Sequence, residues 1–218
     1  MKTKLKLLAL VCALTINAGA TQTGTSGFQG ELGLGYTSDY YFRGGKVSDE
    51  STQIQAKLST DIGVAGAYVS AFANQGLQSA DSYQFAVGLS KSYGSIDMEL
   101  GYLHLEDIPG DARGELFVSL GLDTVLSPSV TINQDLDDSL TSGELELSHT
   151  IDIDVADLTI TGVAGVSDTL AGDTNYYEIG GSLNREFGSL VASLGVDYVD
   201  AENVDSETVF SAGIGIKF

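Results

Sequence analysis

Few residues in this chain could do covalent or acid–base chemistry. His104 and His149 are its only histidines and Cys12 its only cysteine, against 30 Asp+Glu. His104, with Glu106 and Asp107 close by, could form an acid–base site. A lipid hydrolase would need a Ser/His/Asn arrangement or its like. The remaining reactive material is carboxylate. Asp135, Asp137 and Asp138 form one group, and Asp200, Glu202 and Asp205 another. Either could hold a divalent cation, but neither has the spacing of a calcium loop, so a solvated acidic loop is the simpler reading. Crowded carboxylates cannot all ionise freely, so some of their pKa values should rise. We assign no catalytic residues, no metal ligands and no cofactor.

The elements that must position these residues begin after residue 20. Lys2, Lys4 and Lys6, the apolar run Leu7 to Leu14 and the small residues Ala18-Gly19-Ala20 make a secretory signal peptide, too short to span a membrane as a helix. Val11 before Cys12 argues against a lipoprotein. Cleavage after Ala20 leaves a chain without cysteine, so disulfides cannot stabilise it. The full chain has 10 Lys+Arg and a formal net charge of −20, and loss of the three signal lysines makes it more acidic. Such a surface cannot release phosphate counterions, which excludes nucleic acid as a partner. It suits divalent cations or cationic solutes.

From Phe28 onward the residues alternate with period two. Phe28, Gly30, Leu32, Leu34 and Tyr36 share one face, and Gln29, Glu31, Gly33, Gly35 and Thr37 the other. The pattern predicts strands at 28–38, 52–62, 64–74, 82–92, 95–105, 114–123, 129–135, 143–153, 158–167, 176–186, 189–199 and 207–218. Each is about long enough to cross a bilayer at a tilt. The connections should alternate between tight turns, as at Ile62-Gly63 and Phe187-Gly188, and longer polar loops at 39–51, 75–81, 106–113, 136–142, 168–175 and 200–206. Pro109 and Pro128 fall in connections, as strands require.

Charge separates the faces. Glu31, Asp61, Asp97, Glu99, Glu115, Asp123, Asp135, Glu144, Glu146, Asp152, Glu178, Glu186 and Asp197 all lie on the polar face. On the apolar face only Lys91 and Arg185 intrude, next to turns, where long side chains can reach headgroups. A charge at the bilayer midplane costs about 2–4 kcal/mol, so this segregation is what lipid imposes. A soluble sandwich or lipocalin-like barrel would put the apolar face inside. The glycines and carboxylates of the polar face suit a wet lumen better than a free surface. The expected fold is all-β, an antiparallel up-and-down transmembrane β-barrel of about 12 strands covering 21–218, in a bacterial outer membrane. Aromatic residues near strand ends, Tyr36, Tyr40, Phe42, Tyr83, Tyr102, Tyr177 and Tyr198 on the loop side and Phe28, Tyr93, Phe187 and Phe218 on the turn side, would mark the interfaces.

Phe218, ending an alternating strand of Ile216, Ile214, Ala212, Phe210 and Thr208, resembles the assembly signal of Gram-negative outer-membrane proteins. That resemblance implies insertion by the barrel-assembly machinery, with lipid and lipopolysaccharide as surroundings. Ser38-Asp39-Tyr40-Tyr41-Phe42-Arg43-Gly44 resembles the Ser-Asp-Tyr-x-Phe-Arg-Gly element of the TorF-like porin family of Gram-negative outer membranes. There the element also follows the first strand. The stretch from Leu126 to Asp135 and the run Gly143 to His149 are loosely similar to the middle of that group. Gly45-Lys46-Val47-Ser48 departs from its usual polar continuation. The group supplies no catalytic residues to carry over.

In a barrel of this kind Asp39, Tyr41 and Arg43 should face the lumen and Tyr40 and Phe42 the rim, with Gly44 and Gly45 releasing the chain into a loop. Arg43, one of three arginines, would bridge carboxylates and help set a constriction, or hold the loop by a rim salt bridge. The expected pore lining is Arg43, Glu31, Lys57, Asp97, Glu99, Glu115, Glu144, Glu146, Glu178 and Asp197. Gly and Ser leave room in the lumen, while Leu103, Phe117 and Tyr176 take some back. Acidic linings favour cations. The expected function is a porin-like channel for passive diffusion of small cationic or neutral solutes. The alternatives are a closed structural or adhesion barrel and an outer-membrane hydrolase. Both histidines fall on the apolar face, His104 near the loop rim and His149 deeper.

Overall fold

The computed structural model describes residues 27–218 except 78–79, 109, 111, 169–171 and 203. The expected signal peptide and Pro109 lie outside the described residues. Twelve strands follow one another: β1 (Phe28–Phe42), β2 (Gly45–Asp61), β3 (Gly66–Gly76), β4 (Asp81–Tyr93), β5 (Ile96–Ile108), β6 (Ala112–Leu122), β7 (Ser129–Asp135), β8 (Thr141–Asp152), β9 (Asp157–Ser167), β10 (Thr174–Phe187), β11 (Leu190–Ala201) and β12 (Val204–Lys217). Every strand pairs antiparallel with its sequence neighbours, and β1 pairs with β12 to close the barrel. Closure leaves no free sheet edge, which a bilayer would not tolerate.

Alternation decides which side chains face out. Phe28, Leu100, Leu120, Ile179, Leu194, Phe210 and Ile214 are exposed on the exterior. Their strand neighbours Asp97, Glu99, Ser119, Glu178, Ser193, Ser211 and Gly213 turn inward. A continuous apolar exterior around a polar interior is the arrangement for hydrocarbon solvent, and this is a transmembrane β-barrel. At the turn side Phe28, Tyr93 and Phe218 are 73, 75 and 74% exposed, where aromatic rings meet the headgroups. Lys91 donates from Nζ to the Val64 carbonyl at 2.6 Å, in the β2–β3 turn. Arg185 lies over the Phe187 ring, 5.0 Å from its centroid. Both charges thus sit at the turn-side interface.

The connections correct the expected length asymmetry. The strands run on into segments expected as loops, so that β1 and β2 are separated only by Arg43 and Gly44, and β5 and β6 by residues 109–111. Opposite them, β6 and β7 are separated by six residues, 123–128, and the Leu122 amide bonds the Pro128 carbonyl at 2.9 Å. The strands extend because polar sequence pairs readily once it has left the membrane: nothing but exposure distinguishes an extramembrane strand from a loop in composition.

The largest departure is the segment expected as the loop 39–51. β1 and β2 continue as a two-stranded hairpin, Asp39 opposite Asp49, Tyr40 opposite Ser48, Tyr41 opposite Lys46 and Phe42 opposite Gly45. Arg43 and Gly44, at φ 49° and 74°, form its turn. Positive φ at both central positions is what a two-residue hairpin of this twist requires, so Arg43 and Gly44 reverse the chain where a release into a loop was expected.

Candidate functional site

The hairpin tip defines the site because it leaves the barrel wall. Pairing of β1 with β12 ends at Thr37 opposite Ser211, and pairing of β2 with β3 ends at Ser51 opposite Gly76. Ser38 and Glu50 still bond the neighbours, Ser38 Oγ accepting the Phe210 amide at 3.0 Å and the Glu50 carbonyl the Leu77 amide at 2.8 Å. Beyond them, from Asp39 to Asp49, the ladder pairs β1 with β2 alone. A register shift between Tyr40 and Tyr41 leaves Val47 unopposed. Such bulges bend a strand and re-aim its side chains. Past this point the hairpin folds into the barrel.

Its contacts fix it on three sides. Tyr40 lies against Phe72 of β3, ring centroids 5.5 Å apart, and its hydroxyl accepts from Gln84 Nε2 of β4 at 3.0 Å. The expectation that Tyr40 points to the rim is therefore wrong: it is 7% exposed and inside, because the bend gives the hairpin interior on both faces. On the other side Lys46 Nζ meets Asp39 at 2.8 Å, Asp49 at 3.1 Å and Glu207 of β12 at 2.9 Å. At the tip Arg43 gives Nη1 and Nη2 to the two oxygens of Glu115 on β6, at 2.9 and 2.7 Å. Gly44 abuts Tyr176 of β10, and a Cβ there would come within 2.6 Å of that side chain. Arg43 lies over the Phe42 ring at 4.7 Å.

Below the tip a polar seat anchors the hairpin to β3. Asn74 accepts from Ser51 Oγ at 2.6 Å and Gln53 Nε2 at 3.0 Å, and donates to Ser48 Oγ at 2.9 Å. Gln53 and Asn74 are fully buried. Sequence reasoning missed this group and Tyr40. The inward parity of Ser51, Gln53 and Asn74 was legible, but only the fold of the hairpin brings Ser48 onto them.

The other expected lining residues also face inward, in two neighbourhoods. Glu31 and Lys57 stand opposite one another on β1 and β2. Lys57 Nζ lies 4.6 Å from the centroid of the Tyr68 ring, and the Tyr68 hydroxyl donates to Glu99. Asp97 accepts from Ser92 near the β4–β5 turn. Across the barrel stand Glu144 and Glu146 of β8, Glu178 of β10 and Asp197 of β11, with Glu178 in electrostatic reach of Glu144 and Asp197. Tyr176 donates its hydroxyl to Glu144. Among the described residues no lysine or arginine forms an ion pair with these four carboxylates.

The loop carboxylates are engaged locally. Asp135 accepts the Asp137 and Asp138 amides at 2.7 and 2.9 Å. Asp200 accepts from the Tyr177 hydroxyl at 2.6 Å. Glu202 accepts the Asn175 amide at 3.1 Å, a bond that holds its carboxyl below the usual range. His149 Nδ1 lies 2.6 Å from the Val125 carbonyl of the β6–β7 turn, so it sits at the turn-side margin and not deep in the membrane span. His104 points outward between Phe85 and Gly114 of the adjacent strands.

The fold and exterior define the class: a closed twelve-stranded transmembrane barrel of the outer-membrane type. Among solved structures the KdgM porin aligns with a TM-score of 0.62 at 9% identity, over 86% of this chain and 99% of that one. The NanC porin gives 0.61 at 13%, over 86% and 100%. An outer-membrane channel from Pseudomonas putida F1 gives 0.57 at 10%, over 90% and 97%. At these identities the likeness is one of fold. No family model matches the chain, and no curated protein matches it.

Proposed function

We propose that this chain is an outer-membrane channel for passive diffusion of small cationic or neutral solutes, with the β1–β2 hairpin as its narrowest level. The observation that carries this reading is the interior set Glu144, Glu146, Glu178 and Asp197, with which no lysine or arginine among the described residues forms an ion pair. Fixed carboxylates in a narrow polar passage attract cations and repel anions. Arg43 is committed to Glu115 and offers little to an anion. The TorF-like sequence element at Ser38–Gly44 coincides with the hairpin, which supports reading that element as a constriction device. The shared fold with porins supports the same class. Phe218 bonds Gly30 in both directions, at 2.6 and 2.9 Å, and we read it as the assembly signal as well as a closing residue of the barrel.

Reversal potential across a planar bilayer under a salt gradient tests this function. Cation preference is expected, and Glu144→Gln with Glu178→Gln should reduce it. Anion preference would overturn the reading.

A closed structural barrel is the second reading, favoured by the extent to which the hairpin fills the loop-side interior. It predicts no conductance from either the native protein or Arg43→Ala. A hydrolase at the barrel exterior is a weaker reading, since His149 is engaged with a turn carbonyl; lipid-hydrolysis and peptidase assays with His104→Ala address it.

A further inference from the structure

Beneath the folded hairpin, on the β1–β5 side, the interior holds a cavity of about 290 Å³. Phe72 and Gln84, on which Tyr40 rests, contribute to its lining, together with Glu31, Gln55, Lys57 and Ser70. Opposite charges facing each other across paired strands ordinarily bond. Glu31 and Lys57 are so placed, yet no ion pair among the described residues joins them. Lys57 leans over Tyr68. Lys217, the register partner of Glu31 on its other flank, is spent on Glu186 at 2.6 Å. Glu31 Oε2 is left shielded from solvent with no hydrogen-bond partner. An enclosed carboxylate oxygen without a donor is costly, and this one lines a space large enough to admit one.

We propose that this cavity is a binding site for a small zwitterion, a free amino acid. Its ammonium group would meet Glu31 and its carboxylate Lys57, which keeps its own place over the Tyr68 ring. Gln55, Ser70 and Gln84 offer hydrogen bonds to the same polar end, and Phe72 bounds the side chain. The volume lies at the lower end of small-molecule pockets, about 300–1,000 Å³, which fits a single amino acid better than an oligomer. A simple cation would satisfy Glu31 and leave Lys57 without an anion. The site requires an interior open to solutes but neither conduction nor cation preference, so it can fail while the channel reading holds, and the reverse.

The test is ligand-observed NMR or calorimetry on the refolded mature protein in detergent, with L-alanine, L-glutamine, ethylamine and propionate as probes. The amino acids should bind, with ethylamine and propionate weaker by about tenfold or more, the value of a hydrogen bond to a charged group. Glu31→Gln and Lys57→Gln should each weaken amino-acid binding by a similar factor. Circular dichroism and heat-modifiable gel mobility report folding; if Glu31→Gln fails to fold, Lys57→Gln and Gln55→Leu carry the comparison. Absence of amino-acid binding overturns the proposal. So does ethylamine binding as tightly as alanine, or binding that is unchanged in folded variants.

Discussion

The Arg43 guanidinium gives two nitrogens to one carboxylate, in a place where its own side chain is 8% exposed and that of Glu115 is 4%. Removing one partner of such a pair leaves the other charge buried alone, at a cost on the order of 3–5 kcal/mol. Arg43→Ala should therefore unseat the hairpin and raise single-channel conductance, while Arg43→Lys, unable to bond both oxygens, should fall between. Equal conductance in all three would show that the hairpin does not set the narrow level. Tyr40 carries a different lesson. Period two assigned it to the rim, and its parity along β1 is unbroken; the inward bend of the hairpin at the Val47 bulge carries that face into the barrel as well. Arg113, 3.6 Å from Glu115 but half-exposed, is too weakly held to replace Arg43.

The β1–β2 hairpin is the element that converts a plain barrel into one with an obstructed mouth. It contacts β3, β4, β6, β10 and β12, so its position is fixed by many weak contacts and by the Asn74 seat. Gly44 has two reasons to be glycine: φ of 74°, which costs other residues about 1–2 kcal/mol, and the approach of Tyr176. Gly44→Val should loosen the tip while sparing the wall, giving larger or noisier conductance with unchanged heat-modifiable mobility. A fully folded barrel with native conductance would argue against the tip contact. Asn74→Leu should act in the same direction by a different route, since it removes the acceptor that Ser51 and Gln53 share and the donor to Ser48.

The whole molecule is organised by solvent. Its exterior presents Leu, Val, Ile and Phe to lipid and carries Lys91 and Arg185 at the turn-side interface. An arginine at Leu100 or Leu194, both exposed mid-strand residues, should cost about 2–4 kcal/mol near the midplane. Urea titration of the barrel refolded in vesicles measures this, and Phe28→Arg, at the rim, should cost much less. An equal cost at both depths would contradict the membrane placement of these strands. The interior is organised by charge: a mixed neighbourhood around Glu31, Lys57 and Glu99 on one side, and a carboxylate neighbourhood around Glu144, Glu178 and Asp197 on the other. Reversal potential and amino-acid binding address the two sides separately.

Strand number, the inward and outward faces and the separation of carboxylates from lipid were all legible in the order of the amino acids. They follow from a local rule: alternate side chains in a strand point to opposite sides, and each side meets one solvent. The same rule placed Glu31, Lys57, Glu144, Glu178 and Asp197 on the inner face. Where the strands stop, and which inner residues meet, emerged only from the folded chain. The polar stretch Asp39–Ser51 carries the composition of a loop, and only pairing across Arg43-Gly44 makes it a hairpin. Its fold into the barrel depends on Arg43 meeting Glu115, 72 residues further along the chain, and on Gly44 meeting Tyr176, more distant still. No local pattern encodes partners at such separations.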